Sequence, residues 1–266
     1  MKMSGIIAIV LGFASLILAF IMEGGHLMAL LKPTAAIIVF GGTIAAVMLS
    51  FPIGTVKRIG KVMKVAFTAK DKDLSQLILY FKDLAFKTRK NGLLSLEGEI
   101  SVDDKLDPFI KKGLQMIVDG VEPQSVREIL ELEADMTSER HKAGAAMFDS
   151  AGGYAPTMGI IGTVMGLVHV LGGLASSSPD QLGESIATAF IATLYGVGTA
   201  NLLYLPLGGR LKNIDKQEQT EKNLIIEAIL FIQEGVNPNT LAEKLKGFLN
   251  KQELLKLEEL DKKVEA

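Results

Sequence analysis

Cysteine is absent from the 266 residues, which excludes disulfides and thiolate metal sites. Histidine is scarce: His26, His141 and His169 lie far apart and have no metal-ligand spacing. The net charge of −2 argues against nucleic acid as a partner. No catalytic motif survives inspection, and neither an enzyme nor a cofactor is expected. The stretch from Gly54 to Lys61 faintly resembles a phosphate-binding loop. Five residues separate Gly54 from Gly60, however, Val62 stands where Ser or Thr is required, and no strand precedes it. Period-two alternation of useful length is also missing, so the chain reads as all-α.

The most telling absence is of charge in four long stretches. A membrane-spanning helix needs roughly 17–25 apolar residues. Residues 4–22, 34–51, 154–175 and 186–207 each satisfy this without a single Asp, Glu, Lys or Arg. Pro33 suits a first helical turn and Pro52 marks an end. The first run exceeds a signal-peptide core and has no small-x-small cleavage site before Glu23, so it reads as a retained anchor. A buried soluble helix rarely stays uncharged this long even once, and 48% apolar composition fits a membrane protein.

Basic residues set the expected orientation. Of 28 Lys and Arg, 16 lie from Lys57 to Lys142 and 10 after Leu207, whereas the loop 23–32 has one and the loop 176–183 none. The positive-inside rule places both termini and residues 52–153 in the cytoplasm of a bacterial inner-membrane protein. The expected parts are 1–52 (two spans), 53–152 (a helical cytoplasmic insertion), 153–208 (two spans) and 209–266 (cytoplasmic helices and a charged tail). Within the insertion, Val56, Ile59, Val62, Met63, Ala66 and Phe67 oppose Lys57, Arg58, Lys61 and Lys64, a pattern suited to a basic helix on membrane lipid or to a solvated one. A second stripe, Leu74, Leu77, Ile78, Phe81 and Leu84, breaks at Asn91-Gly92. Pro108 and Pro123 mark helix starts, the latter helix continuing towards the third span. After the fourth span, Ile214, Leu224, Ile225, Ala228, Ile229 and Ile232 form another helix, ended by Gly235 and Pro238. Residues 251–266, rich in charge, are expected to be frayed or disordered.

Gly159, Gly162 and Gly166 on the third span and Gly196 and Gly198 on the fourth permit close helix approach, which ordinary bundle packing also explains. At about 1.5 Å per residue, Thr163 and Thr193 both fall within roughly 5 Å of the midplane. Such hydroxyls either bond their own backbone or mark a polar path. Ion-translocating proteins generally place an ionisable group in the membrane as the binding site, and no Asp, Glu, Lys or Arg occupies any of these spans. If the chain moves ions, another polypeptide supplies the carboxylate.

The order of two spans, a long insertion, two spans and a charged tail resembles the motility protein A subunit of flagellar motor stators, within the MotA/TolQ/ExbB group of ion-driven motors. The specific pieces are Arg89-Lys-Asn-Gly-Leu-Leu-Ser-Leu-Glu97, Ala155-Pro-Thr-Met-Gly-Ile-Ile-Gly-Thr-Val-Met-Gly-Leu-Val-His169, Ala189-Phe-Ile-Ala-Thr-Leu-Tyr-Gly196 and Leu205-Pro-Leu207. The resemblance implies a homopentamer around two copies of motility protein B, whose single membrane helix supplies an aspartate. It also implies that ion flow turns the ring and that the insertion pushes the rotor. By the same resemblance Arg89 and Glu97 face the rotor's switch-complex protein. Pro156 and Pro206 are hinges near the cytoplasmic mouth, and Thr193 faces the partner's aspartate. Thr163 stands where sodium-driven members carry Thr and proton-driven members Ala, which favours Na⁺ over H⁺ as the transported ion. His169 is treated as structural. An energiser of outer-membrane processes resembling ExbB or TolQ has one span before its cytoplasmic region, against two here. A passive scaffold is the remaining alternative.

Overall fold

The computed structural model describes residues 2–69, 72–102, 106–174 and 178–265. Ala175, the expected end of the third span, Ser176, the expected start of the next loop, and Ala266 lie outside the described residues. Every regular element among the described residues is helical. Four helices are long and apolar enough to cross a membrane. The chain forms two compact units, Met1–Lys70 with Arg140–Ile214, and Asp71–Glu139 with Asp215–Ala266.

The first unit holds the apolar helices. The first is Lys2–Met22, uncharged after Lys2. The second occupies 33–50, with Pro33 at its first position, where the missing N–H costs nothing. It is interrupted by a π turn at Ile37–Gly41. Phe51 turns the backbone extended and Pro52 stops the helix. The third is one helix from Pro123 to Gly172, so the expected continuation into the span holds without a break. The fourth starts at Pro179, seven residues before the charge-free stretch, because Ser178 and Gln181 form a capping box. Its apolar part runs through a π turn at Ala200–Tyr204 into Leu205–Gln233. The stripe expected as a separate helix after the fourth span is therefore its continuation. Small clusters fasten this unit, among them Ala35, Val39 and Ala192, and Val47, Met147 and Ala151. Most of the large apolar side chains on the first helix are exposed, including Val10, Leu11 and Leu18. In a bilayer that face needs no protein cover.

The second unit is built like a water-soluble helical domain. Helix Leu74–Asn91 buries Ile78, Phe81 and Leu84 against Leu114, Ile117, Leu130, Leu224, Ile225 and Ile229. Asp107 caps Pro108–Val118 by accepting from the Phe109 N–H at 2.9 Å, and Asn237 caps Pro238–Leu245 in the same way. Arg127 forks onto Glu227 at 2.6 and 3.2 Å. Lys72 bridges Glu221 at 2.7 Å and Asp107 at 3.2 Å. Burial pushes the Glu221 carboxyl above its usual range, against the pull of Lys72.

The charged tail is a correction to the sequence reading. Residues expected to fray form helix Lys251–Glu265. Leu257 is buried and Leu254 and Leu260 are half-buried, so three leucines at i, i+3 and i+6 make an apolar stripe inside a charged composition. Ser75 donates to the Glu253 carbonyl at 2.9 Å, Lys82 pairs with Asp261 at 2.7 Å, and Lys256 pairs with Asp73. Burial opposes ionisation of Asp73, but the Lys256 ammonium and the backbone N–H groups of Gln76 and Ser75 together hold the carboxyl below its usual value. A depressed folded pKa gives stability that is present above the ordinary value and lost as pH falls through the folded one. Protection factors for tail-helix amides are thus expected to fall between about pH 5 and pH 3, and Asp73→Asn should flatten that dependence. An unchanged pH response in the variant would contradict this attachment.

Candidate functional site

Gly159, Gly162 and Gly166 fall at i, i+3 and i+7 of the third apolar helix, along one stripe. A Cβ on Gly159 would stand 2.8 Å from the Ala192 carbonyl oxygen and 3.0 Å from the Thr193 Cα. A Cβ on Gly166 would stand 2.6 Å from that of Ala189, and one on Gly196 would strike the Ala155 carbonyl. The third and fourth helices therefore meet backbone to backbone, which only glycine allows.

That approach brings Thr163 and Thr193 together, their hydroxyl oxygens 2.6 Å apart. The Thr163 hydroxyl also lies 3.1 Å from the Gly159 carbonyl oxygen and 3.0 Å from that of Ala189, and the Thr193 hydroxyl lies 3.4 Å from the Gly159 carbonyl. Each hydroxyl has one proton to donate, so these contacts are alternatives between which the pair can rotate. Thr163 is buried and Thr193 half-buried. Two hydroxyls and two carbonyls thus converge where the flanking helices carry no charge. Sequence depth suggested the hydroxyl pair but not the carbonyls. The close approach of the two helices along Gly159, Gly162 and Gly166 is what puts the Ala189 carbonyl within reach of Thr163 and the Gly159 carbonyl within reach of Thr193. Among the described residues no cluster of three His, Asp or Glu could hold a metal ion.

Pro156 sits inside the third helix and removes the bond its N–H would give Gly152. Pro206 lies just after the π turn Ala200–Tyr204 and removes the equivalent bond to Leu202. The two breaks adjoin: a Cβ on Gly152 would stand 2.5 Å from Leu205 Cδ2. Tyr195 forms a clasp that sequence reading did not single out. Its hydroxyl donates to the Leu30 carbonyl and accepts from the Lys32 N–H at 3.3 Å, and its ring stacks on Phe40. The fourth helix is thereby tied to the start of the second. Among the second, third and fourth helices a cavity of about 620 Å³ is lined by Thr34, His169, Glu184 and Thr188 among others.

In the other unit, Arg89 and Glu97 are both exposed on either side of Gly92, whose φ of +80° only glycine adopts easily. Arg89 closes helix Leu74–Asn91 and Glu97 opens Leu96–Val102. Lys87 braces the turn, pairing with Asp83 at 2.9 Å and Glu99 at 2.7 Å. Leu94 at the same turn is 68% exposed, an apolar side chain the charge pattern did not flag.

Residues 6–92 match the family described as Motility protein A N-terminal, and residues 101–223 match the MotA/TolQ/ExbB proton channel family. Motility protein A of Bacillus subtilis is 37% identical over 97% of this chain and 95% of its own length. The chain belongs to the motility protein A family. The flagellar MotAB stator complex from Bacillus subtilis matches with a TM-score of 0.89 at 37% identity, covering 95% of this chain and 98% of that one. The C. jejuni MotAB structure matches with a TM-score of 0.88 at 31% identity, over 94% and 97%. Two spans before the insertion are thus a feature of a motility protein A chain, and the chain is a multi-pass membrane protein.

For this motility protein A chain, Gly159→Ala should cost about 1–3 kcal/mol by overpacking the helix contact. Gly153, on the same helix, has nothing within 4 Å of a built Cβ. Gly153→Ala should be neutral or stabilising, since Ala is the better helix former by about 1 kcal/mol. Thermal unfolding of the detergent-solubilised protein distinguishes them, and equal effects of the two substitutions would contradict the contact.

Proposed function

We propose that the chain is the ion-conducting stator subunit of a flagellar motor, assembled as a homopentamer around two copies of motility protein B, with Na⁺ favoured over H⁺. The observation that carries this reading is the convergence of the Thr163 and Thr193 hydroxyls with the Gly159 and Ala189 carbonyls in stretches, 154–175 and 186–207, that contain no Asp or Glu. A proton needs only an acid and a water chain. Na⁺ is a hard cation that needs several oxygen ligands once dehydrated, and such ligands come from hydroxyls and helix carbonyls. The partner's aspartate would add the charge these helices lack. That the similar solved structures are MotAB complexes supports such a partner.

Both termini and the insertion lie in the cytoplasm of the inner membrane in this reading, supported by the skew of Lys and Arg away from the two short loops. One charge crossing 100 mV releases about 2.3 kcal/mol, enough to bias a conformational step but not to break a covalent bond. Pro156 and Pro206, with the nearby Gly152 and Leu205 in contact, are where the third and fourth helices bend. Arg89 and Glu97 meet the rotor's switch-complex protein, because exposed charges attract a passing surface without locking to it.

The ion is tested by swimming speed while external Na⁺ is varied at fixed pH and membrane potential. Speed should fall as Na⁺ is removed, and Thr163→Ala should weaken that dependence. Constant speed without Na⁺, with collapse on adding a protonophore, would establish a proton motor. Charge reversal, Arg89→Glu or Glu97→Lys, should reduce swimming several-fold while assembly and ion conduction persist. Loss of conduction in either variant would remove these residues from the rotor contact.

A further inference from the structure

A second cavity of the first unit, about 410 Å³, lies between the first and fourth apolar helices and the loop that follows the first. Phe13, Ile17 and Phe20, at i, i+4 and i+7, line it from the first helix, and Leu194 and Gly198 from the fourth. Leu30, Leu31 and Tyr195 line the end nearest the loop. Gly25 packs on Phe20, since a Cβ there would stand 2.5 Å from the ring. Gly198 has nothing within 4 Å of a built Cβ, so the space beside it is open. Glu23 also lines the cavity. Glu23 and Lys32 are the only Asp, Glu, Lys or Arg in residues 23–32, and neither has an ion-pair partner among the described residues. Lys32 directly follows Leu31, and its N–H donates to the Tyr195 hydroxyl in the clasp.

We infer that this cavity holds one acyl chain of a phospholipid from the membrane the chain spans, with a zwitterionic ethanolamine headgroup over Glu23 and Lys32. The volume is that of a small-ligand site, which runs from about 300 to 1,000 Å³. Water does not suit these apolar walls, because each molecule needs about 2–4 polar partners. One helical turn, about 10 Å across and 5.4 Å long, would already take the whole volume, so a helix of a second copy does not enter. A narrow chain of methylenes does, and it restores the dispersion contacts that an empty cavity forfeits. The charges select the headgroup. An ammonium answers the Glu23 carboxylate and a phosphate answers Lys32, whereas a purely anionic headgroup would bring its charge against Glu23. Seated there, the lipid packs on Tyr195 and stiffens the clasp that ties the fourth helix to the start of the second. The inference does not depend on which ion passes or on how many copies assemble.

The test uses the full-length chain purified with its single-span partner, stripped of lipid and offered equal amounts of phosphatidylethanolamine and phosphatidylglycerol. Native mass spectrometry counts the lipids retained per chain. The native protein should retain phosphatidylethanolamine in preference to phosphatidylglycerol. One carboxylate–ammonium pair at a surface is worth up to about fivefold in binding, and Glu23→Gln should remove that preference. Glu23 is exposed, so this variant keeps the fold and decides the headgroup by itself. Gly198→Leu fills the open space and should lose most of the retained lipid, whichever its headgroup, with the complex intact. Added phosphatidylethanolamine should raise the melting temperature of the native protein but not that of Gly198→Leu. Equal retention of the two lipids by the native protein overturns the inference, and so does unchanged retention in Gly198→Leu. A Gly198→Leu complex that loses subunits assigns the cavity to an interface between copies and overturns it as well.

Discussion

Backbone-to-backbone contact between the third and fourth apolar helices is the constraint from which the rest of the membrane unit follows. With Gly159, Gly162 and Gly166 facing Ala189, Ala192 and Thr193, the helices approach more closely than any side chain would allow. Lipid offers no hydrophobic drive for this association, so van der Waals contact and hydrogen bonds carry it. The same closeness puts Thr163 within hydrogen-bond distance of a carbonyl on the neighbouring helix, and puts two hydroxyls 2.6 Å apart. Packing and polar chemistry are thus one feature. Pro156 and Pro206 bound it on one side through Gly152 and Leu205, and the Tyr195 clasp holds it near the other.

The second unit obeys different physics. Its core of Phe, Leu and Ile is buried from water, and its surface is crossed by ion pairs such as Arg127–Glu227 and Lys82–Asp261. The apolar stripe of Leu254, Leu257 and Leu260 docks the tail helix together with the partly buried Lys82–Asp261 pair. Charge matters more at the Gly92 turn, where Arg89 and Glu97 stand out from a base braced by Lys87.

Much of this architecture was legible in the sequence because its signals are local. Twenty uncharged residues can only be a span or a deep core, and Pro33, Pro108 and Pro123 start helices where their missing donors are harmless. The tail was misread because charge density masked three leucines spaced i, i+3 and i+6. The unbroken run past Leu207 was missed because the return of charge from Arg210 onward marks the end of a span and not the end of a helix. A π turn over Ala200–Tyr204 lets the helix continue through Pro206. In the site, hydroxyl depth could be counted along each helix, but the carbonyls of Gly159 and Ala189 belong to the backbone and leave no mark on residue identity. The clasp from Tyr195 to Leu30 and Lys32 joins residues more than 160 apart, beyond the reach of any periodicity.

The central claim is that the four spans, with no Asp, Glu, Lys or Arg between them, would supply ligands and motion but not the charge that carries an ion. The most direct measurement is ion flux into sealed vesicles containing the purified chain alone, compared with the chain reconstituted together with its single-span partner. Flux no greater than in empty vesicles for the chain alone, and clear conduction once the partner is present, is the predicted result. Conduction by the chain unaided would contradict the account.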